Sequence, residues 1–312
     1  MSEEVRSGTG KRPVHGVLLL DKPQWASSNQ ALQKARWHFH AQKAGHTGVL
    51  DPMATGLLPV CFGEATKFSS YLLDADKAYR ATMRLGQVTR TGDTEGEVIE
   101  THPVQVDEAE LQAVMTRFVG EIEQIPPMYS ALKFEGRALY EYARQGIHIE
   151  RAARRITIYS LQLVSFDGVT AILDVCCSKG TYIRTLAQDL GAALGCGAHL
   201  TGLRRTRTAG FDVADAHTLE ALEALSPEAR LGVLLPVDIL VQYLPAHYLS
   251  VEEAAHICHG QPVRLLQKDA IIPRFRLYDE TTEQFMGLGE VRSDGQLWPD
   301  RLLAFTPPRV EA

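Results

Sequence analysis

The stretch Ala44–Thr66, AGHTGVLDPMATGLLPVCFGEAT, guides the interpretation of the rest of the chain. Its glycines and prolines predict a loop held in specific turns, because glycine allows positive φ and proline fixes φ. Pro52 also shifts the residue before it, Asp51, away from helical geometry toward an extended one. The stretch therefore presents a single carboxylate on a stiff turn, with the imidazole of His46 five residues earlier in the chain.

Two interpretations of this turn follow from the residues alone. An Asp before Pro commonly begins a turn, and a single His in a loop is usually solvated, so both residues can be structural. Rigidly framed loops also carry a disproportionate share of catalytic residues, and a fixed carboxylate suits chemistry on a bound substrate. The spacing leaves both interpretations open.

Two more motifs bear on the choice. GVLLLDKP at residues 16–23, HTGVLDPMATGLLP at 46–59 and SKGTYIRTLAQDLG at 178–191 together resemble, in order, the motifs of the TruB family of tRNA pseudouridine synthases. The resemblance runs from about Gly16 to the end of the chain. It implies that Asp51 is the essential catalytic residue and that the protein isomerises uridine 55 in the T arm of tRNA to pseudouridine.

The same resemblance assigns roles to other residues. Tyr79 lies on the apolar face of an alternating strand, KAYRATMRL, and by pattern alone it is an ordinary core tyrosine. The resemblance instead places its ring on the target base, and we expect its hydroxyl to help remove the C5 proton. Arg184 is implied to pair with Asp51 and to keep it ionised. Four more residues are expected to bind the substrate, and these are Lys22, His46, Tyr182 and Leu203.

The sequence departs from the family pattern at two positions. Trp25 stands where relatives usually carry Gly, so the turn after the Lys-Pro motif is expected to differ in geometry from that of relatives. Arg90 stands where relatives often carry an acid, within a turn-rich connection, GQVTRTGDTEG, at residues 86–96. We interpret that connection as a candidate RNA contact.

Composition excludes several classes of protein. Of the 312 residues, 45% are hydrophobic and 22% charged, which is typical of a globular chain rather than a disordered one. No apolar run approaches a membrane span, and the N-terminus lacks the apolar core of a signal peptide. The five cysteines form no CxxC pair, which argues against disulfides and zinc and indicates a reducing cytoplasm. His256, Cys258 and His259 form a cluster without a second ligand group, so we expect no metal and no cofactor.

The net charge of −6 at first opposes an RNA substrate, because phosphate contacts need Lys and Arg. Binding responds to the local field rather than to the average, and basic residues are concentrated in two segments, 133–155 and 199–210. Six of them are candidate contacts to the RNA backbone: Lys133, Arg137, Arg144, Arg204, Arg205 and Arg207.

The pattern of elements predicts an α+β protein. We expect a disordered tail at 1–12, then a catalytic domain at 13–245 with a mixed, mainly antiparallel central sheet flanked by helices. An aromatic and basic segment at about 124–152 resembles the family's RNA-clamping insertion, the thumb. Short strand signals at 246–312 predict a small β-barrel similar to the PUA-like RNA-binding module of this family.

The predicted partner is the T stem-loop of tRNA, bound by a monomer with no membrane association. Glycosidic cleavage builds positive charge at C1′, which a carboxylate can stabilise or attack. Whether Asp51 first attacks C1′, adds to the base or acts as a general base stays open. Two other functions remain: a catalytically weak RNA-folding chaperone using the same surface, and a hydrolase acting on a small glycoside. The hydrolase is disfavoured because no second carboxylate is evident.

Overall fold

The computed structural model describes residues 10–265 and 273–304. Arg12 lies outside a frayed tail, because its amide donates to the carbonyl of His40 (2.7 Å) and it forms a β-bridge with Ala41. The predicted tail at 1–12 is therefore too long at its C-terminal end, and residues 1–9 of that prediction lie outside the described residues.

The described residues contain strands in two separate sheets and in two short hairpins. The strands are β1 (Gly16–Lys22), β2 (Ala44–His46), β3 (Thr55–Phe62), β4 (Lys77–Leu85), β5 (Gln87–Thr89), β6 (Val98–Thr101), β7 (Gly120–Gln124), β8 (Lys133–Phe134), β9 (Arg137–Ala138), β10 (Arg154–Phe166), β11 (Thr170–Cys177), β12 (Ala198–Thr208), β13 (Phe211–Asp212), β14 (Ala246–Leu249), β15 (Val263–Arg264), β16 (Arg274–Asp279), β17 (Phe285–Val291) and β18 (Gln296–Leu302).

Helices flank the sheets. They are α1 (Ser28–His38), α2 (Ser70–Leu73), α3 (Glu108–Thr116), α4 (Leu139–Arg144), α5 (Ile183–Ala193), α6 (Leu219–Ala224), α7 (Pro227–Gly232) and α8 (Val251–Cys258), with 3₁₀ turns at Gly63–Lys67, Val213–Asp215 and Val237–Val241. None of the helices in the described ranges is long and apolar enough to cross a membrane.

The central sheet has the order β1-β3-β12-β4-β11-β10-β7, with β2 added to β3 and β13 added to β12. Its pairings are antiparallel except between β3 and β12, which run parallel. The predicted α+β class, with a mixed and mainly antiparallel sheet, is confirmed. Gly56 permits the parallel pairing: its φ is +101°, and a Cβ there would overlap the backbone of Arg205.

Local signals place several helices correctly. Ser27 caps α1 and Asp107 caps α3, each in a reciprocal capping box with the side chain three residues on. Residues 65–73 do not form one continuous helix, because they are split between a 3₁₀ turn and α2. The hydroxyls of Thr66 and Ser69 donate to the carbonyls of Gly63 and Thr66 at 2.7 and 3.1 Å, and such local bonds compete with a continuous helix.

The second sheet has the order β14-β16-β17-β18-β15 and is antiparallel except for the parallel β14–β16 pair. This is the C-terminal β-module that the sequence predicted; residues 266–272 and 305–312 of it lie outside the described residues. It packs on the central sheet through an apolar cluster in which the rings of Phe68 and Phe285 lie 5.6 Å apart. Lys67 adds a bond to the carbonyl of Leu302 (2.9 Å).

Candidate active site

Asp51 lies in the loop between β2 and β3, and that loop is tied to the start of α1. The Ser28 hydroxyl accepts from the amide of Leu50 (2.8 Å) and donates to the carbonyl of the same residue (3.0 Å). The amide of Ala54 closes the turn onto the Asp51 carbonyl (3.1 Å). The carboxylate is thus presented on a rigid loop, as its Asp-Pro context predicted.

Lys22 lies beneath this loop rather than in a substrate pocket. Its side chain is fully buried, and its ammonium donates to the carbonyls of Pro23 (2.9 Å), Ala26 (2.5 Å) and Pro52 (3.3 Å). Burial lowers the pKa of Lys22 to about 8, although Asp51 opposes the shift. The predicted substrate contact is therefore replaced by a positioning role, in which Lys22 connects the β1–α1 turn to the catalytic loop.

Arg184, at the start of α5, forms the predicted pair with Asp51. Its Nε lies 3.0 Å from one carboxylate oxygen and its Nη2 3.3 Å from the other. The guanidinium also donates to the carbonyls of Tyr129 (2.7 Å) and Thr91 (3.2 Å) and lies 3.5 Å from the carboxylate of Asp93. It is 4% exposed and joins segments that are distant in sequence.

The protonation of Asp51 is set by opposing influences. Desolvation raises the pKa of its carboxyl above the ordinary value, and the negative charge of Asp93 adds to the rise. Arg184 opposes both through its charge and its hydrogen bond. The net direction is upward, so Arg184 limits a rise that burial would otherwise make larger. About a third of the Asp51 side chain (34%) stays open to a bound molecule.

Asp93 was not among the residues predicted for the site. It is 3% exposed and accepts from the Thr91 hydroxyl (2.5 Å) and from the amide of Glu95 (3.0 Å), which fixes the loop behind Arg184. Glu95 accepts from the amide of Met53 in the catalytic loop (3.0 Å). The connection at 86–96 therefore forms a wall of the site. A Thr-x-Asp turn was visible in the sequence, but its contact with Arg184 depends on the tertiary fold.

A cavity of about 280 Å³ opens beside Asp51. Tyr79 from β4, Leu203 from β12 and Tyr182 from the end of the loop before α5 line it, together with Arg184 and Arg205. The fold thus brings together around Asp51 four residues that the sequence placed at the site: Tyr79, Tyr182, Arg184 and Leu203.

Tyr79 and Arg205 face each other in register across β4 and β12. Burial raises the pKa of the Tyr79 hydroxyl, whereas the adjacent Arg205 guanidinium stabilises its ionised form. Arg205 is 2% exposed, and its Nε donates to the carbonyl of Leu57 (2.7 Å). The prediction that Arg205 contacts phosphate is wrong, because the side chain lies inside the protein and lines the cavity.

The two other arginines of β12 differ from Arg205. Arg204 points to the opposite side of the strand and forms two bonds to the carboxylate of Asp21, at 3.0 and 2.7 Å. Its guanidinium is already paired, so the predicted phosphate contact is not supported there. Arg207 is exposed. Because Arg205 is buried and Arg204 is paired with Asp21, these arginines do not form one basic surface.

Gln124, at the end of β7, fixes Tyr182 and was not predicted. Its side-chain amide donates to the carbonyl of Tyr182 (3.1 Å) and its oxygen accepts from the amide of the same residue (2.8 Å). Arg154 places its guanidinium 5.1 Å from the centre of the Tyr182 ring. Gln124 is 1% exposed, and its only sequence signal is a polar residue in a strand just before two prolines.

His46 lies on the other side of Asp51, in a second cavity of about 410 Å³. Burial and the nearby Arg205 charge lower the pKa of His46, which favours the neutral ring. Its Nδ1 is buried and has no hydrogen-bond partner among the described residues. A neutral aromatic ring beside the catalytic loop is compatible with the predicted role against RNA bases.

The segment predicted as the thumb forms the β8–β9 hairpin and α4, between β7 and β10. Lys133, Arg137 and Arg144 are all exposed. The Arg137 guanidinium lies 4.7 Å from the ring centre of Tyr142, and that of Arg144 lies 5.3 Å from the ring centre of Tyr140. The base of the segment reaches the site, because Ser130 and Ala131 line both cavities.

The two departures from the family pattern have local consequences. Arg90 forms an exposed ion pair with Glu97 (3.1 Å) across the β5–β6 connection. Trp25 adopts the left-handed conformation, with φ of 65°, so the turn is retained without glycine. As for metals, no cluster of three or more His, Cys, Asp or Glu side chains suited to an ion occurs within 10–265 and 273–304.

Comparisons with known proteins identify the family. Models described as TruB family pseudouridylate synthase (N-terminal domain), tRNA pseudouridylate synthase B C-terminal domain and pseudouridine synthase II TruB, C-terminal, match residues 36–183, 184–242 and 245–303. A protein named tRNA pseudouridine synthase B from Chromobacterium violaceum is 60% identical over 95% of this chain and 97% of its own length. One of the same name from Neisseria meningitidis serogroup B is 56% identical over 91% and 92%.

Among solved structures, a chain of a Cbf5-Nop10-Gar1 complex matches with a TM-score of 0.69 and 26% identity, covering 94% of this chain and 85% of that one. A chain of the archaeal box H/ACA sRNP Nop10-Cbf5 complex matches with a TM-score of 0.67 and 25% identity, over 96% and 92%. The shared fold and the family matches lead to one conclusion: this chain belongs to the TruB family of pseudouridylate synthases.

Proposed function

We propose that this pseudouridine synthase isomerises uridine 55 in the T stem-loop of tRNA. Pseudouridine synthesis in tRNA rests on relatives named tRNA pseudouridine synthase B at 60% and 56% identity over nearly the whole chain. The observation that carries the proposal is the pair of Asp51 with the buried Arg184, whose Nε lies 3.0 Å from the carboxylate, beside a cavity that Tyr79 and Leu203 also line.

The reaction breaks the C1′–N1 bond of the uridine, turns the freed uracil and joins C1′ to C5. The C5 proton then leaves and N1 gains a proton. The atoms of substrate and product are the same, so no external group is required. Asp51 in its ionised form acts on the substrate, by attack at C1′, by addition to the base or as a general base. Arg184 holds the carboxylate in place and favours its charged form.

The base must leave the folded T arm to reach Asp51, which costs roughly a few kcal/mol of stacking and pairing. The cavity beside Asp51 takes the flipped uracil, with the Tyr79 ring as its stacking surface. His46, on the other side of the loop, fills the space that the base leaves. Removal of the C5 proton by Tyr79 requires its ionised oxygen, and Arg205 stabilises that ionised form until the oxygen accepts the proton.

Backbone recognition falls to exposed cations. Lys133, Arg137 and Arg144 of the thumb segment and Arg207 of β12 are exposed and supply phosphate contacts; of these, Arg144 also lines the cavity that contains His46. The C-terminal module, residues 246–312, adds a second RNA-binding surface of the PUA-like type. The enzyme works in the cytoplasm as a monomer, with residues 13–245 as its catalytic domain and no metal or other cofactor.

The test is to map pseudouridine in an unmodified tRNA transcript incubated with catalytic amounts of the protein. We expect one new pseudouridine, at position 55, with many turnovers per enzyme. A transcript with cytidine at position 55 is the substrate control, and Asp51→Asn is the enzyme control. Modification at another position would overturn the site assignment, refolding of tRNA without isomerisation would favour the chaperone, and release of free uracil would favour a hydrolase.

A further inference from the structure

The backbone of Trp25 adopts a conformation that is unfavourable for a tryptophan. Its φ of 65° lies in the left-handed region, where an L-residue with a Cβ crowds its own backbone and glycine is favoured. Strained residues of this kind concentrate at functional sites, because the surrounding structure must hold them in place. The strain at Trp25 therefore suggests that its side chain has a function.

That side chain also lies in solvent. The residue is 60% exposed, and its ring has neither an aromatic nor a cation–π partner within the described ranges. An indole exposed on a turn removes little apolar surface from water, so folding alone does not account for it. Glycine at this position would relieve both the strain and the exposure.

The turn is attached to the catalytic loop. The Trp25 amide donates to the carbonyl of Pro52 (2.7 Å), and Lys22 donates to the same carbonyl (3.3 Å). Pro52 follows Asp51 directly, and both line the second cavity together with Ser27, two residues after Trp25. The turn that carries Trp25 is therefore attached to the rim of the cavity that contains His46.

We propose that Trp25 is a stacking platform for an unpaired base of the RNA substrate next to the target uridine. This inference rests on the proposed function, which makes RNA the molecule at this rim. One exposed aromatic face suffices to stack a base, and such stacking accepts any of the four bases. The Trp25 ring has no aromatic or cation–π partner in the described ranges, so its face is available to a flat base.

The first test separates the ring from the strain. Trp25→Leu keeps a Cβ in the left-handed turn and removes the aromatic face, whereas Trp25→Phe keeps both. RNA affinity is measured in an Asp51→Asn background with a T stem-loop, so that the substrate is not consumed. We expect Leu to weaken binding about tenfold, within the range of base–aromatic stacking, and Phe to restore most of it. Equal affinity of the Leu variant and the parent would overturn the proposal.

Two further measurements test whether the loss of affinity is specific to the Trp25 ring. Trp37 is 67% exposed at the far end of α1, and Trp37→Leu should leave affinity unchanged; an equal loss there would overturn the proposal. In a Trp37→Phe/Trp298→Phe variant, Trp25 is the sole tryptophan, and RNA should quench its emission. Emission that stays constant at saturating RNA would also reject the stacking contact.

The stacking inference and the proposed function can be rejected separately. If the protein binds the T stem-loop through Trp25 but makes no pseudouridine at position 55, the stacking inference stands and the proposed function falls. If pseudouridine forms at position 55 and Trp25→Leu binds as tightly as the parent, the reverse holds.

Discussion

The cavity beside Asp51 and the thumb segment both concentrate charge, but they hold it differently. Arg184 is 4% exposed and contacts two carboxylates and two backbone carbonyls. Arg137 in the thumb segment is 47% exposed, and its nearest carboxylate contact, with Glu141, is 3.6 Å. Fixed charges in a water-poor site act strongly on a reacting group, whereas exposed charges act weakly and are screened by salt.

The difference assigns separate tasks to the two regions. Buried charges should determine the rate of the chemical step and depend little on ionic strength. Exposed charges should determine affinity for the RNA backbone and depend strongly on it. Five predictions test this division.

The largest effect should come from Asp51→Asn. The amide keeps the shape of the side chain and removes the charge, so turnover should fall by about 10⁴-fold while tRNA affinity stays nearly the same. Single-turnover pseudouridine formation and filter binding measure the two quantities. Appreciable pseudouridine formation by this variant would show that Asp51 is misassigned.

Arg184→Met should come next. Without the guanidinium, burial and Asp93 raise the pKa of Asp51 further, so the acidic limb of the pH–rate profile should move to higher pH. Turnover at neutral pH should fall by about 10²–10³-fold. The variant also leaves Asp93 buried without its cation, which should cost about 3–5 kcal/mol of stability.

Arg184→Lys is the matched control, because it keeps the positive charge and loses the forked geometry. Its acidic limb should move less than that of the Met variant. Circular dichroism establishes that both variants are folded before their rates are compared. An unchanged pH profile in a folded Arg184→Met enzyme would contradict the pairing as the source of Asp51 ionisation.

Tyr79 allows stacking and proton transfer to be separated. Tyr79→Phe keeps the ring and removes the hydroxyl, so it should bind tRNA normally and turn over about 10²-fold more slowly. Deuterium at uracil C5 should then give a larger isotope effect than in the parent. Tyr79→Leu should remove the stacking as well. A nearly normal rate for Phe would reject proton transfer by this hydroxyl.

Arg205 and Arg204 compare an internal and a surface cation in one strand. Arg205→Gln should slow turnover by about 10-fold or more, because it removes the charge that stabilises ionised Tyr79. Arg204→Gln should change stability by only about 0–1 kcal/mol, through the removal of its partly exposed pair with Asp21. Equal rates for the two variants would contradict the division between buried and exposed charge.

The smallest effect should come from the thumb segment. Replacing Lys133, Arg137 and Arg144 with Gln should raise KM a few-fold at physiological salt. The dependence of log affinity on log salt should flatten by about 0.7–0.9 for each phosphate that the variant no longer neutralises. A salt titration of tRNA binding measures the slope, and an unchanged slope would show that these side chains face solvent in the complex.

The residues differed in how well the sequence predicted them. Caps at Ser27 and Asp107 and the alternation in β4 depend on neighbours in the chain, and the alternation predicted for β4 is confirmed. The interior position of Arg205 depends on register. The β12–β4 pairing is irregular between Leu200 and Gly202 and between Arg205 and Arg207. These irregularities determine which side chains of β12 point inward, and the local sequence pattern does not predict them.

Asp93 and Gln124 were missed for a related reason. Each acts through a partner far away in sequence, Arg184 and Tyr182 respectively. A polar residue at a strand end or in a turn is by default structural, and only the tertiary contact shows what it holds. The substrate contact predicted for Lys22 is not supported. Its motif indicated a position near the site, but the sequence did not show that its side chain is buried.

The position of β12 has a consequence for biosynthesis. This strand lies between β3 and β4, so the two earlier strands have no shared neighbour until residues 198–208 have left the ribosome. A nascent chain that ends before Ala198 exposes the β3 and β4 edges, which are templates for aggregation. The pair of Asp51 with Arg184 also cannot form until Arg184, 133 positions later, has been synthesised. Premature termination before β12 should therefore yield a chain that needs a molecular chaperone to stay in solution.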